Sequence, residues 1–97
     1  MKPKAPLEKE ITKEIRRFLQ MKKIFHWKAW QGLGSTKGVP DIIGCYKGQM
    51  ICIEVKGQKG RVSPHQEVFL DNLKQAGAIV FVARSVQDVI DNLKQYW

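Results

Sequence analysis

The stretch that decides the fold is GVPDIIGCYKGQMICIEVKG, residues 38–57. Two apolar runs within it, residues 41–46 and residues 49–56, predict neighbouring strands. Lys47 and Gly48 stand between the runs and predict a two-residue turn, which makes the strands an antiparallel hairpin. The open end of this hairpin nevertheless carries charged residues, in a short chain that needs apolar side chains for its core.

The register of the hairpin brings two carboxylates together. With a two-residue turn, paired residue numbers add to 95, so Asp41 lies opposite Glu54. Directly opposed residues hold their Cβ atoms roughly 4.5–5.5 Å apart on one face of a sheet. Lys56 shares the face of Glu54, whereas Ile53 and Val55 point to the other face and a core. Because opposed carboxylates repel each other, this register predicts a positively charged partner.

A divalent cation would remove that repulsion. Carboxylate oxygens, a backbone carbonyl and waters suit Mg²⁺ or Mn²⁺. A cation held in this way can activate water and neutralise charge on a phosphodiester, and Lys56 would position the water or stabilise the developing charge. The alternative is structural: Asp41 would only begin a strand, and Glu54 with Lys56 would form an exposed ion pair.

Composition favours a nucleic-acid partner. The chain of 97 residues fits one domain, and 17 Lys and Arg against 9 Asp and Glu give a net charge of +8. Such an excess indicates a polyanionic partner, although solubility alone also explains it. Apolar runs fall short of the roughly 20 residues that span a membrane, and the N-terminus does not resemble a signal peptide. We therefore expect an intracellular protein with no membrane association.

Apolar periodicity and capping residues predict the remaining elements. In chain order, a flexible basic arm over residues 1–6 precedes a helix over 7–21, a strand over 24–30, the hairpin, a helix from Ser63 to Gly77, a strand over 78–83 and a helix after Ser85. A helix connects the second hairpin strand to the last strand, so these two strands should be parallel. The prediction is an α/β fold of order αβββαβα, with a mixed central sheet flanked by helices.

Several residues are assigned to the core from apolar character alone. Cys45 and Cys52 are expected to be reduced core residues, because their spacing does not suit a zinc site. Val68 is expected on the apolar face of the second helix. The continuously apolar run 78–83 predicts a strand covered on both faces.

The charged residues of the hairpin resemble a nuclease motif. Pro40-Asp41 followed by Glu54-Val-Lys56 is similar to the PD-(x)n-ExK pattern of the restriction-endonuclease-like superfamily, PD-(D/E)XK, whose core has the same αβββαβα order. The contexts GVPDIIG and ICIEVKG, with Ser-Pro-His-Gln66 before a helix, resemble the VRR-NUC family from about Leu7 to the C-terminus. The resemblance implies a single nuclease domain over residues 1–97.

The resemblance also implies roles for individual residues. Asp41, Glu54 and the backbone carbonyl of Val55 would be metal ligands, and Lys56 would be the catalytic lysine. Gln66 would face the site from the start of the following helix. Its place in an S-x-x-Q capping box explains the glutamine equally well.

The family has a glutamate in its first helix, for which this chain offers three candidates. Glu8 is preferred, because it lies at the edge of the apolar face in an E-x-x-I pattern and would reach the metal, if necessary through water. Glu14 is the second choice, and Glu10 points further outward. A solvated helix face explains all three glutamates as well.

Loop residues beside the expected site are candidates for phosphate contact. They are Ser35, Lys37, Lys59 and Arg61. Ordinary exposure of loop residues accounts for them almost equally well. His26 and His65 are weaker candidates for general bases, because neither has a metal-ligand spacing.

Taken with the resemblance, these residues imply an endonuclease that uses Mg²⁺ or Mn²⁺ and no small-molecule cofactor. It would cut DNA by in-line attack of water, leaving a 3′-hydroxyl and a 5′-phosphate. Stand-alone members of the family are similar to Holliday-junction resolvases, so a four-way junction is the leading substrate. We expect the protein in the cytoplasm of a bacterial cell or of a phage-infected host, associated with the nucleoid.

Paired cuts in a junction need a two-fold homodimer. Trp27, Trp30, Tyr96 and Trp97 would supply its interface, or would pack in the core. Two alternative functions remain open. One is a nuclease for flaps or other branched or single-stranded DNA, and the other is a non-catalytic DNA-binding module.

Overall fold

The secondary-structure elements follow the order that the sequence predicts. The structure is a computed structural model that describes residues 5–30, residue 32 and residues 36–97. Its elements are α1 (Glu8–Met21), β1 (Phe25–Lys28), β2 (Ile42–Tyr46), β3 (Gln49–Val55), α2 (Pro64–Gln75), β4 (Ile79–Ala83) and α3 (Val86–Leu93), followed by a 3-10 turn over Lys94–Tyr96. The αβββαβα order is thereby confirmed. None of the described helices is long and apolar enough to cross a membrane.

The sheet has the strand order β1-β2-β3-β4 across the described residues. Strands β1, β2 and β3 are antiparallel neighbours, and β3 and β4 are parallel, as predicted. Tyr46 pairs with Gln49 and Ile42 with Ile53, which is the predicted hairpin register. Lys47 and Gly48 both have positive φ, 50° and 82°, and turns of that kind match the twist of the flanking strands.

Two faces of the sheet have different cover. The main core lies between the sheet and the pair α1 and α3, and its most buried side chains include Ile15, Leu19, Ile53, Val55, Val89 and Leu93. Alternation along β3 turns Cys52 and Glu54 to the opposite face, where helix α2 packs beside β4. The predicted capping box is present, since Ser63 Oγ accepts from the backbone N–H of Gln66. Helix α2 covers only part of this second face of the sheet.

That partial cover explains where the core predictions are wrong. Val68 is 63% exposed, because it lies on the side of α2 that no described element covers. Cys45 is exposed on the outer half of the hairpin, whereas Cys52 is buried as predicted, and both are free thiols. Strand β4 is an edge strand, so its central side chains are half-buried rather than covered on both faces. Tyr96 and Trp97 are exposed at the end of the chain.

Candidate active site

Asp41 and Glu54 meet where strands β2 and β3 end together. Asp41 immediately precedes β2, and its Oδ2 accepts a hydrogen bond of 2.7 Å from the backbone N–H of Val55. This bond holds the Asp41 carboxylate against the end of β3. The hairpin register therefore places the two carboxylates side by side, as the turn length predicts.

The two oxygens of the Glu54 carboxylate have different surroundings. Glu54 is only 2% exposed. Its Oε2 accepts a 2.7 Å hydrogen bond from Gln66 Nε2 and lies 3.4 Å from Lys56 Nζ. Its Oε1 is buried and has no hydrogen-bond partner among the described residues. An orphaned buried acceptor is costly, so this oxygen needs a partner of opposite charge or a proton.

Burial, followed by the negative charge of Asp41, raises the pKa of Glu54 from its ordinary value of 4.5 to about 7, against the opposing influence of Lys56. The carboxyl groups of Glu54 and Asp41 are close enough for a side-chain hydrogen bond, which also raises the pKa of Glu54. Two ionised carboxylates cannot donate to each other, so this bond forms only when one of them carries a proton. A divalent cation would serve the same purpose without requiring protonation.

The donor set fits a hard divalent cation. No third His, Cys, Asp or Glu in the described chain joins Asp41 and Glu54 in a cluster of metal-ligating side chains. Backbone carbonyl and water oxygens would therefore complete the coordination, which suits Mg²⁺ because this ion usually keeps several waters. The residues present thus fit the metal that the sequence predicts.

Gln66 has two partners at once. Its Oε1 accepts a 2.9 Å hydrogen bond from the backbone N–H of Ser63, which closes the capping box, while its Nε2 donates to Glu54. The two interpretations of this glutamine, helix cap and site residue, are therefore compatible. Its side chain ties the first turn of α2 to the buried carboxylate of β3.

Glu8 lies beside the carboxylates rather than among them. A cleft of about 510 Å³ is lined by Glu8, Lys9, Thr12, Lys28, Ala29, Trp30 and Asp41. A Cβ added to Gly60 would lie 3.4 Å from Glu8 Oε2 and 3.3 Å from Lys56 Cδ, so Glu8 sits close to the catalytic-lysine candidate. Glu8, Glu10 and Glu14 are all exposed on α1, and of these three only Glu8 lines the cleft that Asp41 also lines. Which glutamate reaches a metal stays a prediction.

The loop and histidine candidates are placed differently. Lys37, Lys59 and Arg61 are exposed in the loops on either side of the site, and Ser35 lies outside the described residues. His26 has both ring nitrogens in structural contacts, because Nδ1 lies 2.9 Å from the carbonyl oxygen of Ile24 and Nε2 accepts from Arg16 at 3.5 Å. His65 is exposed on α2.

Arg84 makes a contact that the sequence did not predict. It follows β4, and its Nη1 donates to the carbonyl oxygen of Gly57 over 2.6 Å. This hydrogen bond fastens the loop that begins directly after Lys56. A lone arginine after an apolar strand carries no local signal of such a role, since its partner is 27 residues away in the chain.

Comparisons with known proteins agree with the observed fold. The model of the VRR-NUC domain family matches residues 4–87. A solved structure named "VRR_NUC domain protein" superposes with a TM-score of 0.77 at 21% identity, covering 96% of this chain and 89% of its own. A second, named "VRR_NUC domain", has a TM-score of 0.76 at 24% identity and covers 93% and 97%. At these identities the likeness shows the fold. No curated protein matches.

Proposed function

Because the chain belongs to the VRR-NUC family of nuclease-like domains, we propose that it is a metal-dependent endonuclease that hydrolyses phosphodiester bonds in DNA. The observation that carries the metal is Glu54 Oε1, a buried oxygen with no hydrogen-bond partner among the described residues. It lies beside a second carboxylate in a protein of net charge +8. A cation bound there would balance the acids, and the basic surface would attract the polyanionic substrate.

The ligands would be Asp41, Glu54 and the carbonyl oxygen of Val55, with Glu8 acting through water. When bound, Mg²⁺ or Mn²⁺ would activate water and neutralise charge on the phosphate. Gln66 holds Glu54 Oε2, which leaves Oε1 for the cation. No small-molecule cofactor is part of this proposal.

Lys56 would supply a second positive charge for the reaction, in addition to that of the metal. Its ammonium group, 3.4 Å from Glu54 Oε2, is held where it would orient water and stabilise the developing negative charge. The water oxygen would bond to phosphorus in line with the P–O3′ bond and release one proton to solvent. The P–O3′ bond would break, and the O3′ atom would take a proton from solvent, so the products are a 3′-hydroxyl and a 5′-phosphate.

The leading substrate is a four-way DNA junction, which needs two cuts and hence two active sites related by a two-fold axis. We propose that a second copy of the chain docks on the open sheet face, defined here as Phe25, Trp27, Ile43, Cys45 and Met50. These residues stand in two cross-strand rows on the side of the sheet where α2 packs, in the part that α2 does not cover. Phe25 is 73% exposed, and none of the five side chains is charged.

The composition of the face is the reason for choosing a second copy as the occupant. The net charge of +8 opposes self-association, so two copies would have to meet through a surface without charged side chains, such as this face. Interface centres are typically depleted of charged residues and enriched in aromatic residues and Met, as this face is. Of the aromatic residues predicted for the interface, Trp27 belongs to the face. Trp30 lines the Glu8 cleft, and Trp97 packs against Phe18, with 6.2 Å between the ring centroids.

Cleavage of three labelled substrates tests the catalytic proposal. A four-way junction, a flap and a plain duplex are incubated with Mg²⁺, with Mn²⁺ or with EDTA, and Asp41→Asn serves as the control. Paired, metal-dependent cuts in the junction that the variant does not make would support a junction resolvase. Cutting of the flap alone would show that the substrate is a flap and not a four-way junction. Binding without any cutting would show that the protein is a non-catalytic DNA-binding module.

Sedimentation without DNA tests the dimer separately. We expect wild type to be a dimer and Phe25→Lys to be a folded monomer. Met21→Lys is the matched control, because Met21 is also apolar and 70% exposed but lies at the end of α1, outside the open sheet face. A monomeric wild type, or a Phe25→Lys variant that remains dimeric, would refute the interface.

A further inference from the structure

Helix α1 carries a row of cations that the proposed active site does not use. Lys9, Lys13, Arg16 and Arg17 recur at helical spacing along one side of the helix, while Ile11, Ile15 and Leu19 bury the other side. With Lys28 of β1, these four residues line a groove of about 410 Å³, which we call the basic groove. The other described residues lining it are Thr12 and Gln20, so the lining contains five cations and no carboxylate.

The basic groove leads to the candidate active site. It shares Lys9, Thr12 and Lys28 with the cleft in which Glu8 and Asp41 lie. At its other end it shares Gln20 with a depression lined by Lys23 and His26. The lining residues of α1 run from Lys9 to Gln20, so the groove is about 17 Å long at 1.5 Å per residue.

The cations of the groove form no ion pairs with the described residues. Like charges four residues apart, as in Lys9 with Lys13 and Lys13 with Arg17, destabilise a helix. The ion pairs within the described part of the chain join Lys56 to Glu54 and Lys94 to Asp91, so neither involves the row. Arg16 donates to the imidazole of His26 at 3.5 Å, a contact that supplies no carboxylate. A row of converging cations without ion pairs matches an extended polyanion better than it matches any described neighbour within this chain.

We propose that the basic groove binds the sugar-phosphate backbone of the DNA strand on one side of the bond to be cut. This inference rests on the proposed function for the position of that bond, and on the groove itself for the binding. The groove length corresponds to about five steps of duplex axis at 3.4 Å each. Arginine and lysine contacts to phosphate hold DNA in register without reading its sequence, which suits an enzyme that recognises DNA shape.

The test compares two triple variants with the same loss of charge. The groove variant is Lys9→Gln, Lys13→Gln and Arg17→Gln. The control variant is Lys47→Gln, Lys74→Gln and Lys94→Gln, and all six side chains are exposed. Each set lowers the net charge by three, and glutamine is a good helix former, so α1 should remain folded. Circular dichroism checks the fold, and Lys13→Gln alone provides a milder second variant.

Binding is measured in EDTA over a range of salt concentrations, with a labelled duplex of about 20 base pairs, well beyond the roughly five steps of the groove, and with its single strand. Each lost phosphate contact should reduce the slope of log K against log salt by about 0.7–0.9. We expect a reduction of about 2–3 for the groove variant, about 1 or less for Lys13→Gln, and little change for the control. A reduced salt slope of the groove variant, with both probes or with only one, supports the groove and shows which form of DNA it binds.

Equal losses in the groove and control variants, or a wild-type slope in the groove variant, would overturn the proposal. The binding measurement involves no cleavage, so the two proposals fail separately. If wild type binds through the groove but never cuts, the nuclease proposal fails and the groove stands. If wild type cuts and the groove variant binds normally, the groove fails and the nuclease stands.

Discussion

Gln66 Nε2 donates a 2.7 Å hydrogen bond to Glu54 Oε2, so the residue that caps helix α2 also holds the buried carboxylate of strand β3. The backbone N–H of Ser63 donates to Oε1 of the same Gln66 side-chain amide. The amide is therefore fixed at both ends, and the helix start and the carboxylate cannot move independently. This linkage makes the role of Gln66 separable from ordinary capping by mutation.

Ser63→Ala and Gln66→Ala should have different effects. Ser63→Ala removes a helix cap, which typically costs about 0.5–2 kcal/mol of stability, but leaves the Gln66–Glu54 hydrogen bond possible. Gln66→Ala removes both contacts, so we expect a similar or larger loss of stability and, in addition, a fall in kcat of at least about tenfold. Thermal unfolding and single-turnover cleavage measure the two effects. Equal activity in the two variants would show that Gln66 only caps the helix.

The metal-free protein should lose stability as pH rises. The pKa of Glu54 is raised from 4.5 to about 7 in the folded state. Folding is therefore favoured most below pH 4.5, where this group is protonated in both states, and the contribution is lost as pH rises through about 7. A shift of this size corresponds to roughly 3 kcal/mol at most.

Unfolding by denaturant in EDTA between pH 5 and pH 8 measures this dependence, and Glu54→Gln should flatten it. Adding Mg²⁺ at pH 8 should recover stability in wild type and not in Glu54→Gln. A wild-type free energy of unfolding that increases from pH 5 to pH 8 in EDTA would contradict a raised pKa of Glu54 in the folded state.

Lys56→Gln should impair the chemical step more than DNA binding. The substitution removes the charge that lowers the pKa of the Glu54 carboxyl group, and in the proposed mechanism it also removes the cation that would stabilise the reacting phosphate. Loss of one preorganised stabilising group typically costs about 10²–10³ in kcat. Lys59→Gln, in the exposed loop that follows, is the matched control and should lower affinity rather than kcat. A Lys56→Gln enzyme with normal turnover would exclude a catalytic lysine here.

Two glycines with the same backbone conformation allow strain and crowding to be separated. Gly38 and Gly48 have φ of +87° and +82°, in the left-handed region. A Cβ on Gly38 would lie 2.7 Å from the backbone oxygen of His65, whereas a Cβ on Gly48 would have no neighbour within 4 Å. Gly48→Ala should therefore cost about 1–2 kcal/mol from strain alone.

Gly38→Ala should cost more than Gly48→Ala, because it also pushes the loop before Asp41 away from the first turn of α2. Chemical unfolding of both variants measures the difference, and cleavage assays should show reduced activity only in Gly38→Ala. Equal stabilities would mean that the loop and α2 move apart freely.

Local patterns were enough to predict the elements and the arrangement of the hairpin. A two-residue turn and the alternation of a strand determine which residues face each other, so the meeting of Asp41 and Glu54 follows from residues close together in the chain. The capping box at Ser63 is equally local. The catalytic roles of these residues, the metal and the DNA substrate remain predictions that the experiments above address.

Contacts between distant parts of the chain were decided only by the tertiary structure. The amino-acid sequence by itself determined the order of the elements, the parallel pairing across α2 and the face that carries the carboxylates. It did not determine that Cys45 and Val68 would be exposed, that Arg84 would reach Gly57, or that the cations of α1 would converge with Lys28. Burial and long-range contact depend on where α1 and α2 come to rest on the sheet. That position is set by packing of the whole core, which no short segment specifies.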